Sequence, residues 1–258
     1  MIYDIARKAR QKLRAYRAHT LWRIGVLKTG WTTSLPDELS FWEKALKDNG
    51  SSWNQQEFRE RTDPDLALQE ELKALIDAPT GTLVRIIDVG AGPLTRVGRK
   101  WNDRKVEIVA VDPLADHYVS LLARLSITPP VRTVSAHGED LLASFSENQF
   151  DLAYASNALD HSYDPMRAIR QMLAVVKPSS YVYLWHFANA GMQEGYQGLH
   201  QWNFDIRKGD FIVGGRNKSY SLASEFKQEA EVQCEVQHAF NSRVVIAKLK
   251  KLPQPSKA

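Results

Sequence analysis

An acid, two glycines and a second acid are the residues of this chain whose types and spacing most readily do chemistry: Asp88, Gly90, Gly92 and Asp112. Gly90-Ala91-Gly92-Pro93 follows the apolar run Val84–Val89, and glycines there let the backbone turn tightly and approach a ligand closely. Asp112 closes the next apolar run, Val106–Val111, where an acid commonly accepts hydrogen bonds from the two hydroxyls of a ribose. With the helix-compatible segment Leu94–Trp101 between them, the runs read as one βαβ unit built to hold a nucleoside. The plainer alternative is a crossover whose glycines serve packing. A dinucleotide fingerprint is disfavoured, because Leu94 and Arg96 follow the two glycines and Gly98 is out of place. Asp88 would also repel a phosphate, and suits a positively charged or zwitterionic ligand better.

The elements that must position these residues alternate as an α/β fold requires. Residues 113–125 suit a helix, Val131–Ser135 a third strand and Phe150–Ala155 a fourth. Asp164-Pro165 starts a helix, Lys177-Pro178-Ser179-Ser180 ends it, and Tyr181–Phe187 is a fifth strand. Glu231–Gln237 and Ser242–Leu249 alternate around a short turn and read as a hairpin. Upstream, Ser34-Leu35-Pro36-Asp37 starts a helix that stops at Asn49-Gly50, and Asp63-Pro64-Asp65 starts another. Trp22, Trp31, Trp42 and Trp53 crowd this region, for core packing or for an acceptor site. The division expected is a helical appendage over residues 1–81 and an α/β domain over residues 82–258, with a long insert at 188–225.

At these residues the chain resembles the class I S-adenosylmethionine-dependent methyltransferases. Asp88-Val89-Gly90-Ala91-Gly92 is similar to their first motif, and Ala110-Val111-Asp112-Pro113 to their second. Ala136-His137-Gly138-Glu139-Asp140-Leu141 is similar to the segment beside the adenine, and Phe150–His161 to the fourth motif. The resemblance covers roughly residues 82–250 and implies S-adenosyl-L-methionine as cofactor. It implies a Rossmann-like, mostly parallel seven-stranded sheet with an antiparallel last strand. The cofactor-binding residues it implies are Asp88, Gly90, Ala91, Gly92, Asp112, Pro113, Gly138, Glu139 and Asn157. In much of the family an acid meets the adenine amine near the position of His137, so Glu139 or the Gly138 backbone substitutes here.

Methyl transfer is an in-line displacement, and a hydroxyl acceptor must lose its proton as it attacks. His161, at the end of the fourth strand, and His200, in the insert, are the candidate bases. Asp160, Tyr196, His200, Gln201, Trp202 and Asn203 combine hydrogen-bonding groups with ring faces, which suits a polar, sugar-like acceptor. Asn157, Asp160 and Asp164 have no spacing that specifies a metal, and none is expected. The polar aromatic insert and basic N-terminus also resemble small methyltransferases of bacterial surface-polysaccharide pathways. Competing readings are a nitrogen or carbon methyltransferase of a small metabolite, a non-catalytic cofactor-binding partner subunit, and a dehydrogenase.

The formal charge is +4, yet residues 1–30 alone carry +7, eight lysines and arginines against Asp4, which leaves −3 for the remainder. Ile2, Ile5, Ala9, Leu13, Tyr16, Ile24 and Leu27 give that basic segment an apolar helical stripe. Such a helix either lies on an anionic membrane surface or docks on its own domain. Nucleic acid is disfavoured, because the basic excess is confined to one helix. One cysteine, Cys234, excludes an internal disulfide framework. No apolar run reaches the ~18–20 residues of a membrane span, and no secretory signal is evident. The expected location is the cytoplasm, with peripheral contact at the inner membrane face.

Overall fold

The structure is a computed structural model that describes residues 31–51 and 53–253. The basic stripe of residues 1–30, with Trp22, lies outside the described residues.

The centre is β1, Leu83–Val89, whose Val84, Ile86 and Ile87 are fully buried. A strand covered on both faces carries apolar side chains on each, which explains the consecutive Ile86 and Ile87 in place of a strict alternation. β2 (Lys105–Val111), β3 (Phe150–Ser156) and β4 (Val176–Phe187) extend the sheet in parallel, with β1 between β2 and β3.

Helix α1, Leu35–Leu46, starts where the sequence predicts, and the chain then leaves it through left-handed Asp48 and Asn49. The next helix differs from expectation. α2 spans Gln55–Thr62, capped by the Asn54 side chain, which accepts from Gln56 N and Glu57 N. It stops before Pro64, which disfavours helical geometry in the residue preceding it. A single turn at Glu70–Lys73, α3, is all that remains of the helix expected from residue 63.

Residues 94–101 form no helix, although the sequence is compatible with one. Their backbone pairs instead with the strip around Ala67. Arg99 N and Lys100 N donate to Leu66 O, and Leu68 N donates to Lys100 O at 2.8 Å. Gly98 permits this approach, since a Cβ there would lie 2.0 Å from Ala67 O. Tertiary pairing thus overrides local helical preference.

The expected strand at residues 131–135 reduces to one bridge, Val111 to Val134. Pro129 and Pro130 carry no amide hydrogen for a longer ladder. α4 (Ala115–Arg124) and α5 (Pro165–Val175) follow β2 and β3, the latter capped by Asp164, which accepts from Arg167 N.

After β4 comes the short helix α6, Ala190–Gln193, and a separate three-stranded antiparallel sheet: β5 (Asn203–Arg207), β6 (Asp210–Gly214) and β7 (Ser219–Ser221). Phe204, Phe211 and Val213 anchor it in the main core. The predicted hairpin is β8 (Ala230–Ala239) with β9 (Ser242–Lys251), turned at Phe240 and Asn241, both at positive φ. β9 runs against β4 and β8, which gives the antiparallel last strand. With residues 131–135 contributing only a bridge, the main sheet has six strands rather than seven, in the order β2-β1-β3-β4-β9-β8.

Candidate active site

The carboxyl ends of β1, β3 and β4 open into a cavity of about 800 Å³, within the range of ligand sites. Gly90 and Gly92 turn the chain there at φ +73 and +64. A Cβ on Gly90 would lie 2.4 Å from that of Ala158, and one on Gly92 would lie 2.6 Å from the Trp42 ring. The turn is thus gripped between the loop after β3 and the helix α1. Asp112 braces it from below: Oδ2 accepts from Gly92 N at 3.1 Å, and Oδ1 from Leu114 N at 2.9 Å.

The acids of this region are buried and hold protons unusually well. Burial pushes Asp112 up to about 7, against the two backbone hydrogen bonds. Burial likewise raises Asp88 to about 6, although the Thr95 hydroxyl donates to it. Glu139 is raised to about 7 by burial while Oε1 accepts from Tyr163 N and Asp164 N. Asn157 lines the same wall with its backbone at φ 46, its N–H donating to Trp185 O. Ala91, Pro113 and Gly138 complete the predicted set along this wall.

The two predicted histidines, 39 residues apart, meet. His161 Nε2 and His200 Nδ1 are 3.0 Å apart, and Asp160 Oδ2 lies 2.8 Å from His200 Nδ1. Asp160 is 1% exposed; burial alone would raise it, but His161 and the bond to His200 hold it at about 2. An ionised Asp160 makes His200 Nδ1 the donor, which raises the basicity of His200. Both rings face the cavity. Within β4, fully buried His186 stacks on Phe204, and burial lowers it to about 4.

The insert contributes differently from expectation. Glu194, Gln197, Gly198, Leu199 and His200 line the cavity, whereas Tyr196, Gln201, Trp202 and Asn203 do not. Those four tie the loop to itself and to the domain. Gln201 Nε2 donates to Tyr196 O and Gly198 O, Asn203 Nδ2 to Tyr196 Oη, and Trp202 Nε1 to Ser162 O. Backbone groups in a folded loop need partners, and these side chains supply them. Asp160, expected to meet the acceptor, lies behind the cavity wall and orients His200 instead.

Sequence reasoning named the tryptophans of the wall around α1 and α2, Trp31, Trp42 and Trp53, but not its charged residues. Glu38 Oε1 accepts from Trp42 Nε1 at 2.8 Å, and Glu38 Oε2 stands 3.4 Å from His161 Nδ1. Arg61 lies over the Trp53 ring and donates to Glu57 and to Leu94 O. Arg96 lies over Trp185 and donates to Ser156 Oγ. The i,i+4 spacing of Glu38 and Trp42 was readable, but not which surface their helix face would cover.

A family described as a methyltransferase domain matches residues 87–184, from β1 through most of β4. Residues 87–184 thus carry a methyltransferase domain. Similar solved structures include a Haemonchus contortus phosphoethanolamine N-methyltransferase 2, with 12% identity and TM-score 0.48 over 70% of this chain and 51% of that one. This chain thus spans about half the length of that relative. A Methanosarcina mazei methyltransferase has 16% identity and TM-score 0.46 over 73% of this chain and 100% of that one. A Chlamydomonas reinhardtii arsenic(III) methyltransferase has 15% identity and TM-score 0.40 over 74% and 73%, respectively.

The residues of this methyltransferase site fit the cofactor's chemistry. Asp88, Asp112, Glu139 and Glu38 give an acidic lining for a ligand that carries a sulfonium and an ammonium. The Asp112 carboxylate, just past the end of β2, can accept from ribose hydroxyls.

Proposed function

We propose that this methyltransferase acts on a hydroxyl of a polar, sugar-like acceptor, with His200 as the base. The observation that carries the reading is the Asp160–His200 pair at the cavity that the glycine turn opens. Asp160 engages Nδ1 and leaves the Nε2 lone pair for an incoming hydroxyl. His161 is less suited, because its Nδ1 faces Glu38 and its Nε2 faces His200. Rings of Trp31, Trp53 and Trp185, with Asn54 and Gln197, give the cavity both flat faces and hydrogen-bonding groups.

When bound, S-adenosylmethionine supplies an electrophilic methyl group on sulfur and is left as a neutral thioether. His200 Nε2 takes the acceptor proton as the hydroxyl oxygen attacks, and Asp160 stabilises the imidazolium that results. Wild-type and His200→Asn enzyme, supplied with methyl-labelled cofactor and a panel of glycosides and amines, test this. Labelled ether products, with turnover lower by ~10²–10⁴ in the variant at unchanged cofactor affinity, are expected. Label in amines alone would overturn the hydroxyl reading. The amine alternative has a specific basis too, since Glu38, Glu57 and Glu194 give the cavity an anionic side.

A surface polysaccharide is the acceptor class proposed, and residues 1–30 are proposed to bring the enzyme to anionic lipid on the cytoplasmic face. Among the described residues no helix is long and apolar enough to cross a membrane. Liposome flotation of the full chain and of a chain lacking residues 1–30 separates the cases: equal flotation, or none, refutes the lipid role.

A further inference from the structure

We propose that Asp160, His161 and His200 bind a transition-metal dication. Their three facing atoms form a triangle with edges of 2.8, 3.0 and 3.4 Å: Asp160 Oδ2 to His200 Nδ1, His200 Nδ1 to His161 Nε2, and His161 Nε2 to Asp160 Oδ2. An ion with bonds of about 2.1 Å separates adjacent ligand atoms by about 3.0 Å in octahedral and about 3.4 Å in tetrahedral geometry. The triangle already has those dimensions, so no rearrangement of backbone is needed.

The proton count points the same way. Asp160 Oδ2, a carboxylate oxygen that accepts, faces both ring nitrogens, at 2.8 Å from His200 Nδ1 and 3.4 Å from His161 Nε2. Glu38 Oε2, 3.4 Å from His161 Nδ1, favours a hydrogen on that nitrogen and leaves the His161 Nε2 lone pair facing inward. Asp160 Oδ2 and His161 Nε2 then converge on the single Nδ1 hydrogen of His200. A dication in that hydrogen's place would satisfy all three atoms. Asp160 Oδ1, in a side chain 1% exposed, has no hydrogen-bond partner among the described residues, so the carboxylate has a further lone pair to commit.

The donor set selects the metal. Two imidazoles with one carboxylate favour zinc, iron, cobalt or manganese over magnesium or calcium. Three protein ligands leave coordination positions open, as in sites that do chemistry. Glu38 behind His161 is the kind of outer carboxylate that orients a ligating ring. Because His161 and His200 line the cavity, an acceptor hydroxyl can reach the ion. A ring that ligates through Nδ1 keeps its hydrogen on Nε2. Metal loading therefore transfers activation of the hydroxyl from His200 to the ion.

The full chain, freed of metal by chelation, is titrated with zinc by calorimetry and with cobalt by visible absorption, without acceptor. One ion per chain at micromolar or tighter affinity is expected, with cobalt bands of a low-symmetry nitrogen–oxygen site. His161→Asn and His200→Asn should each weaken zinc by at least ~10²-fold, and Glu38→Gln by about tenfold. His238→Asn, on the distant hairpin, should bind as wild type. Circular dichroism and S-adenosylhomocysteine affinity establish that the variants fold. No saturation below about 1 mM, or unchanged affinity in both histidine variants, overturns the site. Failure here leaves the base reading intact, because chelated enzyme with a His200-dependent turnover supports that reading alone.

Discussion

Replacing Asp112 by asparagine tests the cofactor placement, and its effect can be worked out from the geometry. The two carboxylate oxygens each accept one backbone hydrogen, from Gly92 at 3.1 Å and from Leu114 at 2.9 Å. An asparagine has one acceptor and one donor end, so either orientation turns an NH₂ toward a backbone N–H. One hydrogen bond is lost in a buried place, which costs about 1–3 kcal/mol of stability. The lost charge costs the free protein little, because burial has already raised the acid to about 7. Ligand binding is different. Ribose hydroxyls that donate to the ionised carboxylate gain about 1.5–3 kcal/mol. At about 1.4 kcal/mol per tenfold, the asparagine variant should bind S-adenosylhomocysteine about 10- to 150-fold more weakly. Calorimetry at pH 8, where the wild-type carboxyl is mostly ionised, gives the largest difference. Hydroxyl donors favour the carboxylate over the acid, so wild-type affinity should rise as pH climbs through about 7, and the variant should lose the share of that rise that Asp112 supplies. A folded variant that binds within twofold of wild type, with the same pH profile, would falsify the placement of the ribose on Asp112.

Other expectations follow from the same geometry. Gly90→Ala places a Cβ at φ +73 and 2.4 Å from that of Ala158, so it should lose more than the ~1–2 kcal/mol of left-handed strain; a urea midpoint equal to wild type would contradict this. Trp42→Ala removes the ring that covers Gly92 and should cost about 3–5 kcal/mol by urea unfolding, while weakening the cofactor; a loss under ~1 kcal/mol would mean the ring is not core. Asp112, Glu139 and Asp88 have folded pKa values raised to about 7, 7 and 6, so their stabilising protonation is complete at low pH and lost as pH rises through those values. His186, lowered to about 4, opposes this only as pH falls below 6.5. The ligand-free chain should thus melt at a higher temperature at pH 6.5 than at pH 8, and a flat or rising profile over that interval refutes the assignment.

The parts of the fold that depend on short stretches were legible in the sequence. The run Val84–Val89 is a strand buried on both faces, and the hairpin at β8 and β9 turns where the alternation breaks. Asp112 and Gly92 could be placed together because each follows the end of one of two neighbouring parallel strands. What stayed hidden depends on distant segments choosing each other. Residues 94–101 suit a helix, yet the strip around Ala67 takes their backbone hydrogen bonds instead. Four polar and aromatic residues of the insert looked like ligand groups, yet their hydrogen bonds close the loop that carries His200. The candidate base was visible as a residue type, but its partner was not. Asp160 precedes His161 directly, so a local reading assigns it to the acceptor; only the return of the insert brings His200 within 2.8 Å of it. That return is also why Gln201 N donates to Asp160 O. The same loop closure that satisfies backbone groups therefore assembles the ionised acid and two imidazoles just beyond the end of β3. Chemistry at this site rests on packing between segments some 40 residues apart, which no periodicity or motif spacing encodes.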